Sequence, residues 1–203
     1  MRLCVLVSGS GTILEAMLEA DVEVTLVAAD RPCRALDVAR TAGVRALLVD
    51  RQKFGGFRAT FDRAAYSEEL ARALQGEHID LVAMAGFGTI VTGDFHRAFP
   101  GRVLNTHPSL LPDFAGWHAV AASLKAGVRE SGCTVHVATE ALDDGPILAQ
   151  RRVQVFSDDD ESSLHERIKA VERVLYPEVV ARVMASLAQG REPESVAGAL
   201  EEN

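Results

Sequence analysis

Two side chains with complementary chemistry lie two positions apart, Asn105 and His107, in the run Asn105-Thr-His107-Pro-Ser-Leu-Leu-Pro112. If the residues before the prolines are extended, both project from the same side of the strand. An amide and an imidazole aimed into one cleft can hold a carbonyl oxygen as it becomes negative, and the imidazole can also move a proton. The plain alternative is a polar strand end followed by a proline-set turn. A carboxylate that could complete such a site occurs in Leu142-Asp-Asp-Gly-Pro146. Beside His107, Asp143 would favour the imidazolium, the better donor to an oxyanion. Taken alone, that segment reads as an ordinary solvated acidic turn.

Anion binding is a second chemistry on offer. Ser8-Gly-Ser-Gly-Thr12 follows an apolar run and opens a helical one. Its glycines let the backbone approach an anion, and the N–H groups of a helix start point at it. The alternative is a tight strand-to-helix turn. Leu14 occupies the third glycine position of a dinucleotide fingerprint, and no Gly-Lys-Ser/Thr is present, so one phosphate is the economical ligand. Further along, Lys169 and Glu172 are three apart and share a helix face. They read as a surface ion pair or as a cation for phosphate and a carboxylate for ribose hydroxyls. His136 shares a strand face with Thr134 and is placed as a supporting partner in the Asn105 cleft. His118 is a further polar candidate, although it, His78, His96 and His165 read as exposed or helix-end residues.

These side chains need a scaffold. Short apolar runs at residues 2–7, 22–28, 44–49 and 79–83 read as strands, and residues 13–20, 34–42 and 61–75 as the helices between them. Residues 51–60, rich in glycine and basic side chains, read as a mobile loop. Residues 103–106 form a short strand ending at His107, and residues 120–126 a helix. Residues 133–138 and 147–156 are strands joined by the acidic turn, and a long helix covers about 162–187. The alternation predicts an α/β doubly wound, mostly parallel sheet with an added C-terminal strand pair and long helix. Ligands of such sheets bind beyond the carboxyl ends of the strands, where the candidate residues fall. One domain over residues 1–190 and an acidic, frayed tail over 191–203 are expected.

Composition narrows the function. Of 203 residues, 48% are hydrophobic and 25% charged, an ordinary globular balance. A net charge of −8 and 5% aromatic residues argue against nucleic acid as a partner, which calls for a positive field and stacking platforms. Cys4, Cys33 and Cys133 are far apart without metal-ligand spacing, so neither a metal nor a disulfide is expected. The apolar run at residues 3–7 is too short for a signal-peptide core or a membrane span, and a cytoplasmic protein is expected.

Taken together, residues 105–112, Ser-Gly-Cys-Thr-Val-His at 131–136, Leu-Asp-Asp-Gly-Pro-Ile-Leu-Ala-Gln at 142–150, and Glu172 followed by Tyr176-Pro177 resemble the folate-dependent formyltransferases. The likeness runs from Val5 to Pro177 and is greatest to the branch that acts on glycinamide ribonucleotide in purine synthesis. It implies transfer of a formyl group from 10-formyltetrahydrofolate to an amine through a tetrahedral intermediate held by Asn105 and protonated His107, with Asp143 keeping His107 charged. It further implies a phosphate loop at Gly11, Thr12 and Ile13, phosphate and ribose contacts from Lys169 and Glu172, and folate contacts from Arg63, Asn105 and the main-chain edge Gly88, Thr89, Ile90 and Val91. A monomer or homodimer without nucleic-acid or membrane partners is implied.

The chain departs from many members at several positions. Ile13 replaces asparagine, Gly88-Thr89 replaces Met-Arg, Ala115 replaces proline, and Asp144 is more acidic than usual. Related activities remain as alternatives. A methionyl-tRNA formyltransferase would need a further basic domain, and a formyltetrahydrofolate deformylase an N-terminal regulatory domain. A non-catalytic folate- or nucleotide-binding protein is opposed by the intact Asn105, His107 and Asp143.

Overall fold

The computed structural model describes residues 1–197. Its seven strands are hydrogen-bonded in the order β3-β2-β1-β4-β5-β6-β7, and the chain divides into two compact units at Leu104/Asn105.

The first unit holds β1 (Leu3–Val7), α1 (Thr12–Glu19), β2 (Val24–Ala29), α2 (Arg34–Thr41), β3 (Arg45–Leu48), α3 (Arg63–Gly76), β4 (Leu81–Met84) and α4 (Gly93–Ala98). β1 pairs in parallel with β2 and β4, and β2 with β3. Every residue of β1 is fully buried, which explains its unbroken apolar run: a parallel strand is covered on both faces. The helices bury one stripe each, as with Tyr66, Leu70 and Leu74 of α3. α3 starts where the Asp62 side chain accepts a hydrogen bond from the Ala65 amide.

Two elements of this unit differ from expectation. α4 was not anticipated, because six residues opening on glycine carry too little periodicity to read. Residues 51–54, expected to be part of a mobile loop, form a 3-10 turn capped by Asp50. The reason is tertiary. Arg51 is buried, and its guanidinium lies over the Phe57 and Phe61 rings at 4.3 and 4.1 Å.

β5 (Val103–His107) crosses the unit boundary, and the second unit continues with α5 (Ala119–Ala126), β6 (Glu130–Val137), β7 (Ile147–Gln154) and α6 (Glu161–Ala188). β6 and β7 form the expected added pair, antiparallel, with an irregularity at Val135/His136. α6 packs on both strands and buries Leu164, Ile168, Leu175, Val179, Val180 and Val183. Each such side chain contributes roughly 1.5–3 kcal/mol. A reciprocal Asp160–Ser163 capping box starts the helix. After it, the first part of the tail is not frayed as expected: residues 193–196 form a 3-10 turn packed on α6, with Pro193 and Val196 buried. The last part of the expected acidic tail, residues 198–203, lies outside the described residues.

Candidate active site

Strand alternation along β5 sends Asn105 and His107 to one face and Thr106 to the other. The segment after His107 is held by one face of β6. The Thr134 hydroxyl donates to the Ser109 carbonyl (2.7 Å) and accepts from the Leu111 amide (3.0 Å). Gln150 Nε2 donates to the Leu111 carbonyl at 2.7 Å. Gly132 lies on the same face, where a Cβ would stand 2.7 Å from Leu110 Cδ2 and 2.2 Å from the Arg151 carbonyl oxygen. The proline-set turn is therefore docked by a buried hydroxyl, which no local pattern announces.

The acidic turn is not merely solvated. Asp143 has a left-handed backbone, φ 56°. Gly145 lies so close to β6 that a Cβ there would be 1.7 Å from the Val137 carbonyl oxygen. This packing tucks the Asp143 side chain in, leaving it 4% exposed beside two histidines. One carboxylate oxygen, Oδ2, lies 3.3 Å from His107 Nδ1 and accepts from the Gly116 amide at 2.9 Å. The other, Oδ1, lies 3.7 Å from His136 Nε2.

The two imidazoles have different partners. His107 Nε2 is 2.9 Å from the Phe114 carbonyl oxygen, which can only accept. Both ring nitrogens of His107 thus face oxygen atoms of acceptor groups. His136 directs Nδ1 to the Val137 carbonyl at 3.1 Å, which assigns the proton to that nitrogen. Burial holds the His136 pKa below its ordinary value, favouring the neutral ring. Its Nε2 lone pair accepts from Asn105 Nδ2 at 3.2 Å. That bond orients the Asn105 amide and leaves its second N–H available.

Glu172 lies on the Thr106 side of β5, 8% exposed, and accepts from the Thr106 hydroxyl at 2.8 Å. Burial raises its pKa, and burial together with the Glu172 charge pushes the Cys133 thiol up to about 12, an inert cysteine. Lys169 does not pair with Glu172: its ammonium meets Glu166 at 2.8 Å, on the solvent side of α6.

In the first unit, Gly11 caps α1 with φ 79°, and a Cβ there would be 2.9 Å from Ala35. No side chain caps this helix start, so its amides are available to an anion. Thr12 and Ile13 open the helix; the Ile13 side chain is buried, so that position offers only its main chain. Arg63 is exposed at the first position of α3. Gly88, Thr89, Ile90 and Val91 follow β4 without regular structure, with Thr89 buried. Sequence reasoning missed the Thr134 anchor, the Phe114 carbonyl, the Gly116 amide and a charged cluster around Asp30. An aspartate closing a buried strand was the only available signal for the last. Among the described residues, no cluster of three or more His, Cys, Asp or Glu side chains is disposed to hold a metal ion.

A formyl transferase family model matches residues 1–180. A phosphoribosylglycinamide formyltransferase from Mycobacterium tuberculosis is 43% identical over 185 residues, 89% of this chain and 83% of that protein. The trifunctional purine biosynthetic protein adenosine-3 of Drosophila melanogaster is 36% identical over 192 residues, and the match spans 90% of this chain but 14% of that longer protein. The crystal structure of glycinamide ribonucleotide transformylase 1 from Symbiobacterium toebii superposes with a TM-score of 0.82 at 40% identity, covering 94% of this chain and 89% of that one.

Proposed function

Because the chain belongs to the formyl transferase family, we propose that it transfers the formyl group of 10-formyltetrahydrofolate to the amine of glycinamide ribonucleotide, a step of de novo purine synthesis. The observation that carries this reading is the Asp143 carboxylate 3.3 Å from His107, on the β5 face that also presents Asn105.

In the proposed reaction the neutral amine attacks the formyl carbon, a C–N bond forms, and the carbonyl oxygen becomes an alkoxide. The spare N–H of Asn105 donates to that oxygen. His107 Nε2–H joins it by exchanging the Phe114 carbonyl for the alkoxide, while Asp143 keeps the ring oriented. One such donor supplies ~3 kcal/mol of transition-state stabilisation. The bond from the carbon to the folate nitrogen then breaks, and the proton lost by the amine reaches that nitrogen through water.

Binding is assigned by family resemblance. The amides at Gly11, Thr12 and Ile13 are assigned to the substrate phosphate, and Lys169 of α6 is assigned to phosphate by the same resemblance. Glu172 has one oxygen on Thr106 and offers the other to ribose hydroxyls. Arg63 meets the folate, and the main chain from Gly88 to Val91 reads its ring. No described helix is long and apolar enough to cross a membrane, and the cytoplasm is the proposed place of work.

The test mixes the protein with 10-formyltetrahydrofolate and follows folate absorbance with and without glycinamide ribonucleotide. Consumption that requires the amine supports transfer. Consumption without it means hydrolysis, and no consumption means a binding protein.

A further inference from the structure

The main-chain edge at residues 88–91 has no sheet ladder or helix to hold it, so its shape depends on side chains. Two contacts pin it. The Gly88 amide donates to Ser8 Oγ at 2.7 Å. The Thr89 hydroxyl, 4% exposed, donates to Asp30 Oδ2 at 2.6 Å and accepts from Arg51 Nη1 at 2.9 Å. Thr89 is thus the link between a buried anion and a buried cation.

Both ions are themselves held. Asp30, fully buried at the end of β2, receives Arg31 on both oxygens, at 2.8 and 2.7 Å. Its burial alone would push its pKa up, but hydrogen bonds from Arg31, Thr89 and Ser8 outweigh this and hold it below the ordinary value. Arg51 donates Nε to the Gly56 carbonyl at 2.9 Å and lies against the Phe57 and Phe61 rings. Arg31 passes so close to the edge that a Cβ on Gly88 would meet its Nη2 at 3.1 Å. Its guanidinium also lies 4.3 Å from the Phe57 ring centre. Buried ions give little net stability compared with apolar packing of the same volume, but they dictate geometry through directional bonds. Here those bonds converge on the one polar side chain of an edge otherwise made of Gly, Ile and Val.

We propose that Asp30 and Arg51 are positioning residues for folate binding, acting through the Thr89 hydroxyl to set the Gly88–Val91 main chain in the shape that the folate ring reads. This rests on the reading of that edge as the folate contact. It also couples the 3-10 turn at Arg51–Phe54 to the same edge. Neither ion need touch the ligand.

The experiment measures tetrahydrofolate affinity by calorimetry, KM for both substrates, kcat and thermal melting for Thr89→Val, Thr89→Ser, Arg51→Met and Ile90→Pro. Thr89→Val keeps the shape and loses both hydrogen bonds. It should weaken folate affinity and raise folate KM about tenfold. The KM for glycinamide ribonucleotide should be unchanged and kcat within about threefold. Thr89→Ser restores the hydroxyl and should recover folate affinity, and Arg51→Met should follow Thr89→Val. If Thr89→Val does not fold, Arg51→Met alone carries the test. Ile90→Pro removes an amide from the edge itself. Should Ile90→Pro weaken folate binding while Thr89→Val and Arg51→Met do not, the edge reads folate without this clamp and the inference fails. Should none of the three affect folate, the edge assignment itself is wrong. Equal loss of both substrates, tracking a lowered melting temperature, would reduce the cluster to a structural role and overturn the proposal.

Discussion

Asp143 Oδ2 stands 3.3 Å from His107 Nδ1, while the opposite ring nitrogen of His107 is 2.9 Å from the Phe114 carbonyl. The imidazole is thereby suspended between a carboxylate and a peptide oxygen. The second contact matters as much as the first. Phe114 has φ 55°, a left-handed conformation that is strained for an aromatic residue.

Asn105→Ala and His107→Ala are each expected to lower kcat by about a hundredfold or more, the loss typical of one oxyanion donor. Steady-state kinetics at saturating substrates decide this. Near-normal turnover in His107→Ala would remove the chemistry assigned to it.

Asp143→Asn keeps the volume and can still accept from the Gly116 amide, so the turn should hold. What it loses is the negative charge beside His107. A fall in kcat of about a hundredfold, with little change in melting temperature or in substrate affinity, is expected. A drop confined to KM would instead assign Asp143 to binding.

His136 has its pKa held down by burial. Below its unfolded pKa of ~6.5, the unfolded chain takes up a proton that the folded protein refuses, so stability is lost as pH falls. Urea unfolding across the range below neutrality should show this slope reduced in His136→Gln. His165 shifts in the same direction, again chiefly through burial, and His165→Gln serves as the comparison. An unchanged slope in His136→Gln would mean that His136 is protonated in the folded state.

Glu172 has the opposite sign. Burial raises its pKa, so above the ordinary carboxylate range of ~4.3 the folded protein retains a proton that the unfolded chain releases. Stability contributed by this group therefore declines as pH rises through that window. Glu172→Gln has no proton to lose and should gain relative stability as pH rises. If Glu172 holds the ribose, the same variant should raise the KM for glycinamide ribonucleotide about tenfold. Chemical denaturation and kinetics on one preparation test both statements.

Much of the framework was legible beforehand. The alternation of β1, α1, β2, α2 and β3 follows from periodicity within each segment, and the full burial of β1 follows from its unbroken apolar run. The shared face of Asn105 and His107 needed only the two-residue repeat of a strand. The glycine turn before α1 was likewise visible, because Gly11 adopts a backbone that other residues resist. The 3-10 turn at Arg51 and the short helix α4 were not, since neither has enough residues for a pattern to emerge.

What the sequence by itself determined was the order of the elements and the chemistry available at their ends: an amide, an imidazole and a carboxylate at positions a doubly wound sheet uses for ligands. Tertiary structure alone decided which groups meet. It turned Asp143 inward by packing Gly145 on the Val137 carbonyl, gave His107 a second acceptor in Phe114, and made His136 the neutral ring that orients Asn105. It also sent the Lys169 ammonium to Glu166 and the Glu172 carboxylate to Thr106. Periodicity is a property of neighbours along the chain. Hydrogen bonds between residues 105 and 136, or 116 and 143, depend on strand register and on the conformations of single turn residues, which appear only when the chain has folded against itself.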